Sequence, residues 1–219
     1  MTLSAKLKQE VETHPILKHQ WLTSRKEMIT KNDLLYWLSQ EYFVSVDFVN
    51  WFLKTASQIN DIHSKIILVQ NIWEELGEGN VDSSHVMILS KFLRDMGSSL
   101  VDLHPNTSTS EYLKEMDGII ALGPFYALGA LGPANEYLLK LEYGIMNTAY
   151  LNLRKEEILP EAVFFKINLE ADQNHSAMMF SLIERLTETE ESAEMVIEGN
   201  MRALNARMIF YDGIQKITG

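Results

Sequence analysis

The chain has 219 residues, 46% hydrophobic and 22% charged, which suits one sizeable hydrophobic core in a globular, soluble protein. Its net charge of -11 argues against a nucleic-acid partner, and the absence of cysteine removes disulfides, thiolate ligands, iron–sulfur clusters and a cysteine nucleophile. No apolar run approaches the roughly 18 residues of a membrane span, and the opening MTLSAKLKQEVETH lacks a signal-peptide core, so a cytoplasmic protein without a membrane partner is expected.

Helical periodicity dominates in chain order. Residues 3–12 predict a short amphipathic helix, and His14-Pro15 restarts the chain because the residue before proline is driven out of the helical region. A second short helix follows in ILKHQWL. Asn32 or Asp33 can cap the next one, where Leu35, Leu38, Tyr42, Val46, Val49 and Leu53 keep the 3.6 period. A helix over 59–76 ends at the glycines after Leu76, and Ser83 or Ser84 begins another through His85, Leu89, Phe92 and Met96. Residues 97–109 read as a loop. A helix from Glu111 leads into the Gly- and Ala-rich stretch 118–134, and 134–150 is apolar nearly all round, as a central buried helix is. Two more helices are expected over about 158–187 and 190–216. Alternation of period two is nowhere sustained and no repeat or linker interrupts the chain, so the expectation is one all-α domain over 1–219.

Within the helix over 158–187, Phe165, Asn168, Asp172, His175, Met179 and Leu182 share one stripe at about 100° per residue. An amide, a carboxylate and an imidazole on a core-facing stripe cost a few kcal/mol each unless something satisfies them. Three more polar residues interrupt apolar stripes: Glu75 after Leu68 and Ile72, His85 before Leu89, and Glu136 with Leu139, Tyr143 and Met146. A lone buried histidine is more often a hydrogen-bonded core residue than a ligand, Glu75 could belong to a solvated helix end, and Glu142 competes with Glu136. The coincidence of three carboxylates (Glu75, Glu136, Asp172) and two imidazoles (His85, His175) on four helices points instead to a shared site. Carboxylates and imidazoles without thiolates suit iron or manganese and tolerate zinc, and helical bundles commonly hold paired metals this way. The nucleotide-binding loops and the GxSxG and HExxH motifs are absent.

These residues carry a resemblance. HPILKHQWL, NDLLYWLSQEYFVSVDFV and Asn71-x-x-Glu74-Glu75-x-Gly77-x-Gly79, with His85 ten positions past Glu75, are similar to the heme-oxygenase-like diiron oxidases and oxygenases. That family includes the chlamydial death-domain-associating protein and is related to the TenA and PqqC groups. The resemblance selects Glu75 over Glu74 and Glu78, and favours Glu136, 32 residues before Asn168, over Glu142. It implies metal ligands at Glu75, His85, Glu136, Asn168, Asp172 and His175, with Glu75, Asp172 and His175 as the catalytic core. The family's closing motif is His-x-x-x-Asp-x-x-His, and here Asn168 stands in place of the first histidine. An amide oxygen serves iron less well than imidazole, so one of two metal positions is weakened.

The implied fold is a heme-oxygenase-like bundle of seven or eight helices. The implied function is O₂ activation on one or two Fe(II) to oxidise a small amine, amino acid or fatty acid, with a homodimer compatible with it. The lack of cysteine argues against a TenA-type thiaminase. Tyr42, Trp73 and Tyr143 are candidates to line the pocket. The alternatives are a metal-free PqqC-like protein, a non-catalytic binding protein, and a heme site using His14 or His19. If Asn168 is not at the metal, Glu41 or Glu170 could complete the second position.

Overall fold

The computed structural model describes residues 1–219, the side chains of residues 171–173 excepted. Ten α-helices follow one another: α1 (Leu3–Thr13), α2 (Gln20–Arg25), α3 (Lys31–Gln58), α4 (Ile62–Glu75), α5 (His85–Asp95), α6 (Thr107–Ala121), α7 (Pro124–Leu131), α8 (Leu138–Glu156), α9 (Val163–Leu186) and α10 (Glu190–Thr218). A π-helical turn, Gly132–Tyr137, joins α7 to α8 without a break. Among the described residues no strand occurs, and no helix is long and apolar enough to cross a membrane.

Local chemistry sets the boundaries. α3 begins two or three residues earlier than a cap at Asn32 or Asp33 would place it. Thr30 accepts from the Asp33 N–H while the Asp33 carboxylate accepts from the Thr30 N–H, a reciprocal cap that satisfies two otherwise orphaned donors. Asn106 caps α6 by accepting from the Thr109 N–H, which shortens the expected loop. α9 starts at Val163 rather than near 158, because Pro160 keeps Leu159 out of the helical region and the Pro160 carbonyl accepts from the Tyr150 hydroxyl.

One face was assigned differently by periodicity alone. On α3 the stripe through Val46 and Leu53 is about half exposed, and the buried side is Leu34, Trp37, Leu38, Glu41, Val44, Phe48, Trp51 and Phe52. Both sets keep helical spacing. The second carries the large rings, and burying large apolar side chains gains about 1.5–3 kcal/mol each, so it takes the core.

α10 packs along α7 and α6, and its contact with α7 is backbone to backbone. A Cβ on Gly129 would lie 2.0 Å from the Val196 carbonyl oxygen, and one on Gly199 would lie 2.1 Å from that of Tyr126. Only glycine permits that approach. At the other side α9 lies against the π turn, α8, α5 and α4.

Candidate metal centre

α4 ends where Gly77 adopts φ +71°, and Gly79 follows at φ +86°. A Cβ on Gly77 would come within 2.4 Å of the Asn80 carbonyl oxygen, so glycine is required for the chain to reverse there. The reversal returns His85, the first residue of α5, to Glu75, the last of α4, with His85 Nδ1 2.9 Å from Glu75 Oε2.

Glu136 arrives through the π turn. Pro133 has no N–H to continue the helical ladder, and the Ala130 carbonyl is taken up by the Asn135 side-chain amide at 2.7 Å. The Asn135 side-chain oxygen in turn accepts from the Tyr112 hydroxyl at 3.0 Å. So held, Glu136 is 1% exposed and accepts from the Asn71 side-chain amide at 2.8 Å. Asn71 lies one turn before Glu75 on the inner face of α4.

His175 of α9, fully buried, sits between these carboxylates. Its Nε2 is 2.7 Å from Glu74 Oε2; its Nδ1 is 3.4 Å from Glu75 and 3.7 Å from Glu136, without a hydrogen-bond partner. Carboxylates face both ring nitrogens, so the cationic ring carries one proton on Nε2 toward Glu74 and one on Nδ1 toward Glu75 and Glu136, and the second is the one a bound metal ion would displace. Asn168 is buried two turns earlier, its side-chain amide donating to the Phe164 carbonyl at 2.8 Å. It shares a small cavity of about 20 Å³, room for one water, with Glu75, His85 and Tyr143. Asp172 lies outside the described residues.

Burial works against ionising Glu75, but the imidazoles of His85 and His175 outweigh it and hold the carboxyl below its ordinary range. Burial likewise opposes charge on His85 and His175, yet facing carboxylates raise both. Glu136 is pushed up by burial, with His175 pulling the other way. The cluster therefore takes up protons, which a metal ion displaces when it binds such ligands.

Among the described residues no three His, Cys, Asp or Glu side chains are set as a ready cage for an ion; they pair with each other instead. The residues nevertheless fit iron. Two buried atoms at the cluster, His175 Nδ1 and Asn71 Oδ1, have no hydrogen-bond partner, and the available ligand atoms are oxygen and imidazole nitrogen without sulfur. A histidine giving its second N–H to a carboxylate is the usual support of a ligating imidazole, and Glu74 is placed for it.

The fold thus gathers Glu75, His85, Glu136, Asn168 and His175 from four segments. Sequence reasoning gave no role to Asn71 and set Glu74 aside. Asn71's place one turn before Glu75 was the available signal, whereas Glu74 flanks the inner face and needed the structure. Glu142 goes elsewhere: it and Glu41 both pair with Arg207 of α10, and all three are buried. The guanidinium lies 2.7 Å from Glu142, and the rings of Tyr112, Phe210 and Tyr211 surround it at 5.6, 4.2 and 5.1 Å.

Among the side chains proposed for the pocket, Tyr143 lines it, Trp73 is 53% exposed on the outer face of α4, and Tyr42 packs edge-on against Phe43. Glu170 is exposed. His14 and His19 are helix caps. Their Nδ1 atoms accept from the Ile16 and Trp21 N–H groups, and their Nε2 atoms meet Asn205 and Asp212, so both nitrogens of each ring are engaged. Neither fits a heme ligand as it stands.

A larger groove of about 1000 Å³ opens beside the cluster, and His85 lines both spaces. Its wall carries Glu74, Glu78, Asp82, Asp95 and Glu161 against a single lysine, Lys91, which pairs with Asp95 at 2.8 Å.

Solved structures share this architecture at low identity, which shows the fold. A CADD-like protein of unknown function from Nostoc punctiforme superposes with a TM-score of 0.77 at 18% identity, covering 99% of this chain and 97% of that one. A TenA homologue from Pyrococcus furiosus gives 0.74 at 18% identity over 97% and 100% of the two chains. A second, from P. horikoshii, gives 0.67 at 15% over 97% and 100%. No curated protein matches the sequence. Residues 35–208, which hold all six candidate ligands, match the family described as iron-containing redox enzyme, and the chain belongs to that family.

Proposed function

We propose that this protein is a non-heme iron-dependent oxidase or oxygenase that uses O₂ to oxidise a small amine-bearing substrate. The observation that carries the reading is the buried His175, with Nε2 held by Glu74 and an unpartnered Nδ1 turned to Glu75 and Glu136. Those residues, His85, and by the family resemblance Asp172 and Asn168, would hold one or two Fe(II). Bound iron would supply the activation of O₂.

The chain's own groups have separable tasks. Asn71 orients Glu136, Glu74 orients His175, and Tyr143 with Val44, Phe48 and Leu139 forms the bulky wall opposite the polar residues of the water-sized inner cavity. The outer groove takes the body of the substrate and presents its reacting end past His85. Five carboxylates against one lysine favour a cationic amine over a fatty acid, because like charge repels the carboxylate of the latter. Iron-family membership favours this reading over a metal-free PqqC-like protein or a non-catalytic binder.

The test is Fe(II) loading without oxygen, followed by exposure to O₂ with candidate amines and fatty acids. Fewer than two irons per chain are expected in the wild type, and Asn168→His should raise the number. Consumption of O₂ should depend on an amine. Protein that takes up no iron, or that consumes O₂ only with fatty acids, would sink the proposal in the corresponding part.

A further inference from the structure

A chain of oxidisable rings runs from the inner cavity to the end of α10. Tyr143, which lines that cavity with Glu75, His85 and Asn168, meets Trp37 of α3 edge-on at 5.8 Å between ring centres. Trp37 stacks on Trp21 of α2 at 6.4 Å, and Trp21 meets Tyr211 of α10 at 5.7 Å. Each separation lies within the contact range of aromatic pairs. Tyr211 in turn meets His19 at 5.6 Å, and His19 Nε2 is 3.1 Å from Asp212, whose side chain is 69% exposed. The four rings themselves are buried.

Packing alone does not account for the ring types. Trp37 Nε1 lies near the Glu41 carboxyl and the Tyr211 hydroxyl, yet it closes a hydrogen bond with neither, and the Tyr211 hydroxyl has no partner. Buried polar groups left open cost free energy that phenylalanine would avoid. A plain ring is accommodated in this core, since Phe165 stacks on Trp37 at 6.1 Å. What indole and phenol add is the ability to give up an electron, which a phenylalanine ring lacks.

We propose that Tyr143, Trp37, Trp21 and Tyr211 form an electron-transfer path from the surface at Asp212 to the metal centre, which reduces the centre when O₂ is activated with no substrate bound. This inference rests on the proposed function. One electron passes from Trp37, across Tyr143, to the O₂-oxidised iron; Trp21 refills Trp37, and Tyr211 refills Trp21. Tyr211 then loses its phenolic proton, because the Arg207 guanidinium, 5.1 Å from its ring, disfavours a second positive charge there. The proton has an acceptor. Glu41 and Glu142 share the single cation of Arg207, and burial raises Glu41 to about 7, so one carboxylate is open to protonation. A soluble one-electron reductant, a thiol or ascorbate, returns the electron near His19 and Asp212, and the proton returns from Glu41. Tyr211 is restored and the reductant is oxidised by one electron.

The test begins without iron. Because the chain has no cysteine, Asp212→Cys supplies one thiol for a maleimide-linked ruthenium polypyridyl photo-oxidant beside Tyr211. Illumination in air with a cobalt(III) acceptor, followed by peptide mass spectrometry, should find oxidised Trp21 and Trp37, although both are shielded from solvent. Trp51 is equally buried but connects to Tyr211 by way of Tyr112 and Phe210, and its yield should be about 10-fold lower. Trp21→Phe should lower the yield at Trp37 by about 10-fold or more with unchanged helical content. Tyr211→Phe, which removes a single hydroxyl, should also lower it. Oxidation spread equally to Trp51, or unchanged by both substitutions, would overturn the path. Protein loaded with Fe(II) and mixed with O₂ without an amine should then show a tyrosyl radical by freeze-quench electron paramagnetic resonance, lost in Tyr211→Phe. Iron-loaded protein that shows none would overturn the path's use at the centre. Failure to take up iron would instead sink the proposed function, while the ruthenium experiment still decides the path.

Discussion

Glu136 and Glu142 lie six residues apart on one continuous helical rod, both buried, and they enter opposite kinds of ionic cluster. Glu142 and Glu41 share the guanidinium of Arg207, a permanent cation walled in by three aromatic rings. Glu136 and Glu75 face two imidazoles whose charge depends on protons, and His175 Nδ1 and Asn71 Oδ1 have no hydrogen-bond partner beside them. The first cluster is closed and supplies its own countercharge. The second borders a cavity and a groove, and its cationic charge is exchangeable. Buried carboxylates alone therefore do not distinguish the two; what sets the candidate metal centre apart is the absence of a fixed cation together with buried polar atoms left without a hydrogen bond.

The largest effect separating the two belongs to Arg207→Met. Two carboxylates would be left buried without a cation, which costs about 3–5 kcal/mol. Denaturant unfolding should show that loss, and Glu41→Leu and Glu142→Leu added to the same chain should restore most of it. A loss of under about 1 kcal/mol from the single change would mean that the Arg207 cluster is not closed.

At the other cluster the loss should fall on iron, not on folding. Glu136→Gln, Asp172→Ala and His175→Ala should each weaken Fe(II) binding by roughly 100-fold or more while keeping the helical content. Glu142→Gln should do the reverse, binding iron normally but unfolding about 1–3 kcal/mol more easily. Iron titrations and melts on the same four proteins decide it, and exchange of the two glutamate phenotypes would overturn the assignment. A smaller effect is expected of Glu74→Gln. Support of a ligating histidine is worth some 10–100-fold in metal affinity, and the amide still accepts one hydrogen bond, so a loss of about 10-fold is expected in the same titration.

The subtlest contrast is with pH. Burial raises Glu41 to about 7 from 4.5, against the pull of Arg207. A carboxyl raised in the folded state binds more protons there than in the unfolded chain. Its stabilising contribution is therefore complete below pH 4.5 and is lost as pH rises through 7. Glu41→Gln removes that dependence, so the variant should gain on the wild type between pH 4.5 and 7 in chemical denaturation. A constant difference across the window would show that Glu41 does not titrate as its burial requires.

What the sequence by itself determined is local. Period 3.6, the caps and the glycine and proline punctuation place the helices to within a few residues. Polar residues on apolar stripes single out Glu75, His85, Glu136, Asn168 and His175, because burying such groups needs a reason that a reader of the chain can ask for. What tertiary structure decided is which partner answers each buried group. The choice of core face on α3 turned on ring volume against neighbouring helices, not on spacing, since two stripes keep the same period. Glu41 and Glu142 differ from Glu75 and Glu136 through Arg207, which lies 166 and 65 residues away in the chain, respectively. Glu74's hold on His175 spans 101 residues. Periodicity along one helix records only the direction in which a side chain points; the charge waiting there belongs to another helix, and only packing brings it in.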